Sequence, residues 1–242
     1  MLNPRSLSVE STSRYLRLIG LVALGVALLL IINRPVMSTE AASPQVGIGS
    51  THQNAFEFIG RIDQNDLDFS GFGYLTYIKG FGVDDIFTDG LLQSEDTARF
   101  TYVATATLTS RAILTEVFVI NAEGYMTIYF DETPYGRSFD NPASFASGIP
   151  IATTSMRYHD ILLVQSPNRG LASGVTELTQ LGASAFNLSG QDYQFGKPNQ
   201  FYRLTSIGNA TRTNADPPVS FVLLAGNATT TGHVVYLPLA VR

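Results

Sequence analysis

The chain of 242 residues is 45% hydrophobic, 11% aromatic and 14% charged, enough apolar material for one sizeable core, and at roughly 150 residues per domain it reads as one domain. A formal net charge of -5 makes a poor surface for phosphate backbones, so no nucleic-acid partner is expected. Zero cysteines exclude a disulfide framework, thiolate zinc sites, cysteine nucleophiles and a lipoprotein-type anchor, and zero tryptophans remove the commonest sugar-stacking platform.

The first element is an uncharged apolar run from Leu18 to Ile32, preceded by Arg5, Arg14 and Arg17 and closed by Asn33, Arg34 and Pro35. It predicts a membrane-directed helix over 18–34. Rising about 1.5 Å per residue, the run reaches only about 22 Å against a hydrocarbon core of roughly 30 Å, unless Arg17 snorkels and lets Leu16 and Tyr15 join. The arginine excess before the run makes 1–17 a cytoplasmic basic segment and exports everything after Pro35. Two fates follow: a retained single-pass anchor in the cell membrane with the C-terminal domain outside the cytoplasm, or a signal peptide cleaved near Ala41 that releases a secreted protein. The distance of that site from Ile32 favours the anchor. Residues 35–54, with Ser, Thr, Pro, Gly and Gln, read as a linker to an extracytoplasmic all-β domain at 55–242.

From Phe56 onward the hydrophobic period is two. Ala98, Phe100, Tyr102, Ala104, Ala106 and Leu108 alternate with Arg99, Thr101, Val103, Thr105 and Thr107, so one face of that strand is buried and the other wet. Met126, Ile128 and Phe130 repeat the pattern, as do Val219, Phe221, Leu223 and Ala225. Further strands are predicted at 56–62, 72–78, 115–120, 149–153, 157–164, 175–181, 185–188, 201–207 and 234–241, with turns at Asn121-Ala122-Glu123-Gly124 and Pro167-Asn168-Arg169-Gly170, where glycine supplies a positive φ. Gly208-Asn209-Ala210-Thr211 and Gly226-Asn227-Ala228-Thr229 read as two similar strand ends. Asp140-Asn141-Pro142 opens a helix of one or two turns that Gly148 stops. Pro238 makes the last strand an edge. So many short antiparallel strands must close into an antiparallel β-barrel or split into a β-sandwich, and the long neighbours at 98–131 favour the barrel.

No Gly-x-Ser-x-Gly elbow occurs, Gly170-Leu171-Ala172-Ser173-Gly174 having the wrong spacing. Gly71-Phe72-Gly73 and Gly80-Phe81-Gly82 lack the third glycine of a phosphate loop and read as relief of crowding in a bent strand. The three histidines, His52, His159 and His233, are dispersed, and His159 and Asp160 point to opposite faces of a strand, so they form no acid–base dyad. Asp131 and Glu132 are neighbours on opposite faces for the same reason. Asp63, Asp66 and Asp68 are candidate calcium ligands, the one metal the chain suggests. An EF-hand-type loop opening at Asp66 would need Glu at position 77, where Tyr77 stands, and a solvated acidic turn is the preferred reading. Asp84, Asp85, Asp89, Glu95 and Asp96 form a second acidic stretch of the same kind. Tyr74, Tyr102, Tyr125 and Tyr129 are candidates to line a cavity for an apolar ligand, with cross-strand packing as the plainer alternative. Asn187, Asn209 and Asn227 head Asn-x-Ser/Thr strings.

The ending His233-Val234-Val235-Tyr236-Leu237-Pro238-Leu239-Ala240-Val241-Arg242 resembles the Tyr-Leu-Pro-Leu endings of exported β-rich bacterial proteins, which implies an exported β-domain and carries no catalytic group. The glycine-punctuated long strands are loosely similar to small closed barrels of the allene oxide cyclase and dirigent type, or of the lipocalin type. No functional residue follows from either likeness.

These features lead to the expectation of a non-catalytic extracytoplasmic β-domain, attached through 18–34, that binds an apolar small molecule or a cell-envelope component without a cofactor. The alternatives are a barrel enzyme, a cyclase, isomerase or hydrolase with a dispersed active site, and a structural envelope protein.

Overall fold

A computed structural model of the chain describes residues 46–49 and 54–231. The helix expected at 18–34, the Ala41 site, His52, His233 and the strand expected at 234–241 lie outside the described residues. Among the described residues no helix is long and apolar enough to cross a membrane.

The fold is all-β. Its strands are β1 (Val46–Ile48), β2 (Asn54–Asn65), β3 (Asp68–Ile78), β4 (Phe100–Leu114), β5 (Val117–Phe130), β6 (Ile149–Ser166), β7 (Arg169–Ala183), β8 (Ala185–Leu188), β9 (Gln191–Phe195), β10 (Phe201–Ala215) and β11 (Pro218–Thr231). Eight of them close an antiparallel barrel in the order β10-β11-β2-β3-β4-β5-β6-β7, so a sandwich is ruled out. Closure is made by the β7–β10 ladder, in which Gly174 faces Ser206, and by the β11–β2 ladder, in which Leu224 faces Gly60. β1, β9 and β8 form a separate three-stranded sheet, with β1 parallel to β9. Residues 46–48, expected in the linker, thus belong to the folded part.

The two ends of the barrel differ. At one end every connection is a tight turn, at Asp66-Leu67, Thr115-Glu116, Pro167-Asn168 and Asp216-Pro217. Asp66, Thr115 and Asn168 take positive φ there, so at the expected 167–170 turn the left-handed residue is Asn168 rather than Gly170. At the other end the chain makes long excursions. Residues 79–99 include the short helix α1 (Val83–Ile86), 131–148 include the expected single turn as a 3₁₀ helix (Pro142–Ala146), and 184–200 carry β8 and β9.

Those excursions fill the barrel's far end with aromatic rings. Phe100 opens β4 and Phe130 closes β5, and both meet Phe186 of β8, at ring-centroid distances of 5.6 and 4.5 Å. Phe195 of β9 lies 5.6 Å from Phe56. A second apolar layer covers the outside of β3 and β4. Because Gly71 and Tyr102 face the barrel interior, Phe72 and Tyr74 face outward, where Phe87, Phe139 and Phe145 cover them. The Thr101 hydroxyl donates to the Phe145 carbonyl at 2.6 Å, and the buried Arg137 guanidinium donates to the Ala98 carbonyl and to Asp131, the latter at 3.1 Å. Each buried ring contributes on the order of 1.5–3 kcal/mol, so this layer fixes the 131–148 excursion to the wall.

Several expected elements change. The segment expected at 115–120 and the alternating row Met126, Ile128 and Phe130 belong to one strand, β5, and 149–153 and 157–164 are one strand, β6. Gly124 therefore marks no turn: a Cβ there would meet the Thr105 carbonyl at 1.9 Å, so glycine serves the close approach of two strands. On β11 the face toward the interior is Val222, Leu224 and Ala228, and Phe221, Leu223 and Ala225 face outward, since both faces of that strand are apolar and alternation alone did not choose between them. Gly208 and Gly226 lie within adjacent strands rather than at strand ends.

Candidate functional site

Among the described residues no aromatic plug closes the tight-turn end, and small residues keep the interior open. Gly71, Ala104, Ala106, Gly170 and Ala210 face inward, leaving a cavity of about 310 Å³ that opens between the turns and a smaller space of about 60 Å³ beneath it. Ile62, Phe69 and Tyr158 line both spaces, with Phe118, Ile120, Leu162 and Val222 on the upper walls and Phe58, Tyr102, Met126 and Leu204 below. Opposed glycines shape the floor. Gly60 and Gly73 pair across β2 and β3, and a Cβ on Gly60 would fall 1.9 Å from the Tyr102 hydroxyl, so the pair forms the notch that receives that ring.

One carboxylate stands within this apolar wall. Asp160 of β6 is 4% exposed, and its Oδ1 has no hydrogen-bond partner. The ladders place it in one row with Gly174 of β7 and Ser206 of β10. A Cβ on Gly174 would lie 2.9 Å from Ser206 Oγ, 3.2 Å from the Tyr158 ring and 3.5 Å from Asp160 Oδ1, so the missing side chain is what lets these three groups share one spot. Burial pushes the Asp160 carboxyl up to about 6, only partly offset by the backbone at Ile161 and Ser173 and by the Tyr158 hydroxyl. Burial and the neighbouring carboxylate raise Tyr158 well above the ordinary phenol.

The mouth is polar and carries arginines. Arg111 faces Ile120 across β4 and β5, Arg212 faces Ser220 across β10 and β11, and both border the cavity. Arg212 Nε donates to Asn168 Oδ1 at 3.0 Å, which leaves the rest of its guanidinium available. Gln64 Oε1 accepts from Ser220 Oγ at 3.0 Å, and Glu116 and Arg169 complete the rim.

The residues singled out from sequence fall elsewhere. Asp63 is ion-paired to Arg61 Nε at 2.6 Å, with that guanidinium 4.7 Å from the Phe221 ring centre; Asp66 is a turn residue; Asp68 accepts from the Thr107 hydroxyl at 3.2 Å. The three carboxylates are not brought together, and among the described residues no group of three His, Asp or Glu side chains is arranged to hold a metal ion. In the second acidic stretch, Asp85 accepts from the Gly82 N–H and Asp89 from the Leu91 N–H, each at 2.9 Å, so both serve local turns. Asp131 pairs with Arg137. His159 faces outward, 2.9 Å from Asn121 Oδ1, away from Asp160 as strand alternation requires. Of the four tyrosines, Tyr102 lines the interior, Tyr74 lies under the outer layer, Tyr125 is 64% exposed, and Tyr129 shares the outward face with it. Asn187 and Asn227 are engaged with Asp192 and Thr205 at 2.8 and 2.7 Å.

No sequence motif singles out Asp160 as a site residue, although its signal is present in the sequence. Met156, Tyr158, Asp160 and Leu162 share one phase of β6, and an acid in an otherwise apolar row is a buried polar group.

Fold and site together define a closed eight-stranded antiparallel barrel, plugged with aromatic rings at one end and hollow at the other, with one buried acid in the hollow. Protein-family models, curated proteins and solved structures give no match to this chain.

Proposed function

We propose that this chain is a binding barrel that holds a small apolar or amphipathic molecule in its lumen, and that it works outside the cytoplasm, tethered or released through residues 18–34. The observation that carries the binding role is the cavity of about 310 Å³, within the size range of small-molecule sites, apolar in its walls and polar at its mouth. A purely structural barrel would gain by filling that space with larger side chains at Gly170 and Ala210. The test is the fluorescence of 1-anilinonaphthalene-8-sulfonate with the intact protein and with Ala210→Phe, which puts a ring into the cavity. Saturable binding that Ala210→Phe removes, with the circular dichroism spectrum preserved, supports the reading; no binding to the intact protein, or equal binding to both, defeats it.

A catalytic reading draws on one observation, the Asp160 carboxyl held near neutrality beside Tyr158, since such a group serves as a general acid or base. Binding retained in Asp160→Asn, together with loss of turnover of a bound compound, would establish it over simple binding.

A further inference from the structure

Taking the lumen as the binding site, we infer that its occupant is a medium-length anionic amphiphile with a hydroxyl group on its apolar end, the anion held at the mouth by Arg111 and Arg212 and the hydroxyl donating to Asp160 Oδ1.

Three features of the cavity converge on this class. The first is at depth. Asp160 is nine-tenths buried, faces the cavity and leaves Oδ1 without a donor. A buried acceptor without a partner costs about 1–3 kcal/mol or more, and a carboxylate accepts only, so the group that satisfies it must donate. Ser206 shares its row, but no hydrogen bond joins the two. The second is at the mouth, where Arg111 and Arg212 stand on lumen-facing positions and bring free N–H groups to the opening. Cationic rims select against an ammonium group entering head-first and favour a carboxylate or a similar anion. A hydroxyl therefore fits Asp160 better than an amine does.

The third feature is the spacing. Arg212 lies six residues along β10 from Ser206, which marks the Asp160 row. At about 3.3 Å per residue that is ~20 Å of strand contour, shortened by the strand's tilt and by the reach of the arginine side chain. A cavity of about 310 Å³ holds roughly ten groups of ~30 Å³ each. A chain of about ten carbons matches both measures.

The test uses three probes of equal chain length, decanoate, 10-hydroxydecanoate and 1-decanol, titrated calorimetrically below their micelle-forming range at pH 8. With the intact protein, 10-hydroxydecanoate is expected to bind at least tenfold more tightly than decanoate, as a hydrogen bond to a charged acceptor provides. Asp160→Leu should abolish that gain while leaving decanoate bound. Asp160→Asn keeps the residue's shape and should reduce the gain, which guards against a Leu variant that fails to fold. The double variant Arg111→Gln/Arg212→Gln should weaken both acids at least fivefold and leave 1-decanol unchanged. Equal binding of decanoate and its hydroxylated form, or a gain that survives Asp160→Leu, overturns the assignment of the hydroxyl while the lumen remains a binding site. Failure of all three probes to bind removes the lumen reading itself.

Discussion

Asp160 makes stability depend on pH in a direction opposite to that of a surface acid. Its carboxyl is pushed up by burial from an ordinary 3.8 to about 6, so in the folded chain it holds its proton over a range where the unfolded chain has already released it. Between pH 4 and 6 the native state therefore binds more protons than the unfolded one, and the free energy of unfolding falls as pH rises through that window. Two pH units at about 1.4 kcal/mol each amount to roughly 3 kcal/mol, and burial at 4% exposure calls for no discount for solvent screening. Asp160→Asn removes the titration and keeps the shape. Urea unfolding of both proteins should show the variant more stable than the parent by about 2–3 kcal/mol at pH 7.5, with the gap closing toward pH 4. The other ionisable groups bordering this cavity, Tyr158, Arg111, Glu116, Arg169 and Arg212, are common to both proteins and cancel in the difference. A stability difference that stays constant from pH 4 to pH 7.5 would refute the reasoning, because it would mean that water reaches the carboxylate and solvates it as well in the folded state as in the unfolded one.

Other substitutions probe the scaffold. Gly73→Ala should lower stability by about 1–3 kcal/mol, because its Cβ would lie 2.1 Å from the Ile59 carbonyl; Tyr102→Phe should not rescue it, since the nearest obstacle is backbone, and a double-mutant cycle by urea unfolding checks both. Arg137→Ala leaves the Ala98 carbonyl and Asp131 without their buried partner and should cost roughly 3–5 kcal/mol, read as a lowered melting temperature together with faster proteolysis within 131–148. Asn168 has φ 65°, so Asn168→Gly should be close to neutral, whereas Asn168→Ala should destabilise by about 1 kcal/mol in thermal unfolding.

The strand alternation at 98–108 and 126–130 was legible in sequence because each of those rows has one apolar and one polar face, and the structure buries Phe100, Tyr102, Met126 and Ile128 as that pattern requires. On β11 the same rule chose the wrong face. Leu223 and Phe221 lie outside, one exposed and one under Arg61, while Leu224 and Val222 face in, and a strand that is apolar on both sides carries no phase information. Gly124 looks like a turn residue in sequence because local pattern cannot distinguish a glycine that bends the chain from one that lets a neighbouring strand approach. Closure of the barrel was beyond local pattern too, since it depends on the β7–β10 ladder formed across the β8–β9 excursion. The site shared that fate: Asp160, Gly174 and Ser206 become one row only when three strands take their register.

The contrast between the barrel's two ends gives the lumen its significance. A dry apolar void of about 310 Å³, at ~24 cal/mol per Å³, would cost roughly 7 kcal/mol, which is comparable with the whole stability of an ordinary domain. A chain that places Phe100, Phe130, Phe186 and Phe195 at one end has the means to fill the other, yet it sets Gly170 and Ala210 against this void and Gly71 and Ala104 against the smaller space beneath it. The tight turns at that end supply no plug, so the mouth stays open to solvent, and water at the arginine rim relieves part of the cost that a sealed void would impose. An apolar ligand that displaces this water from Phe69, Phe118, Ile120 and Leu162 gains the burial that the folded chain leaves unused. The glycines and alanines of the upper barrel thus give up stability in the free protein and recover it when the lumen is occupied.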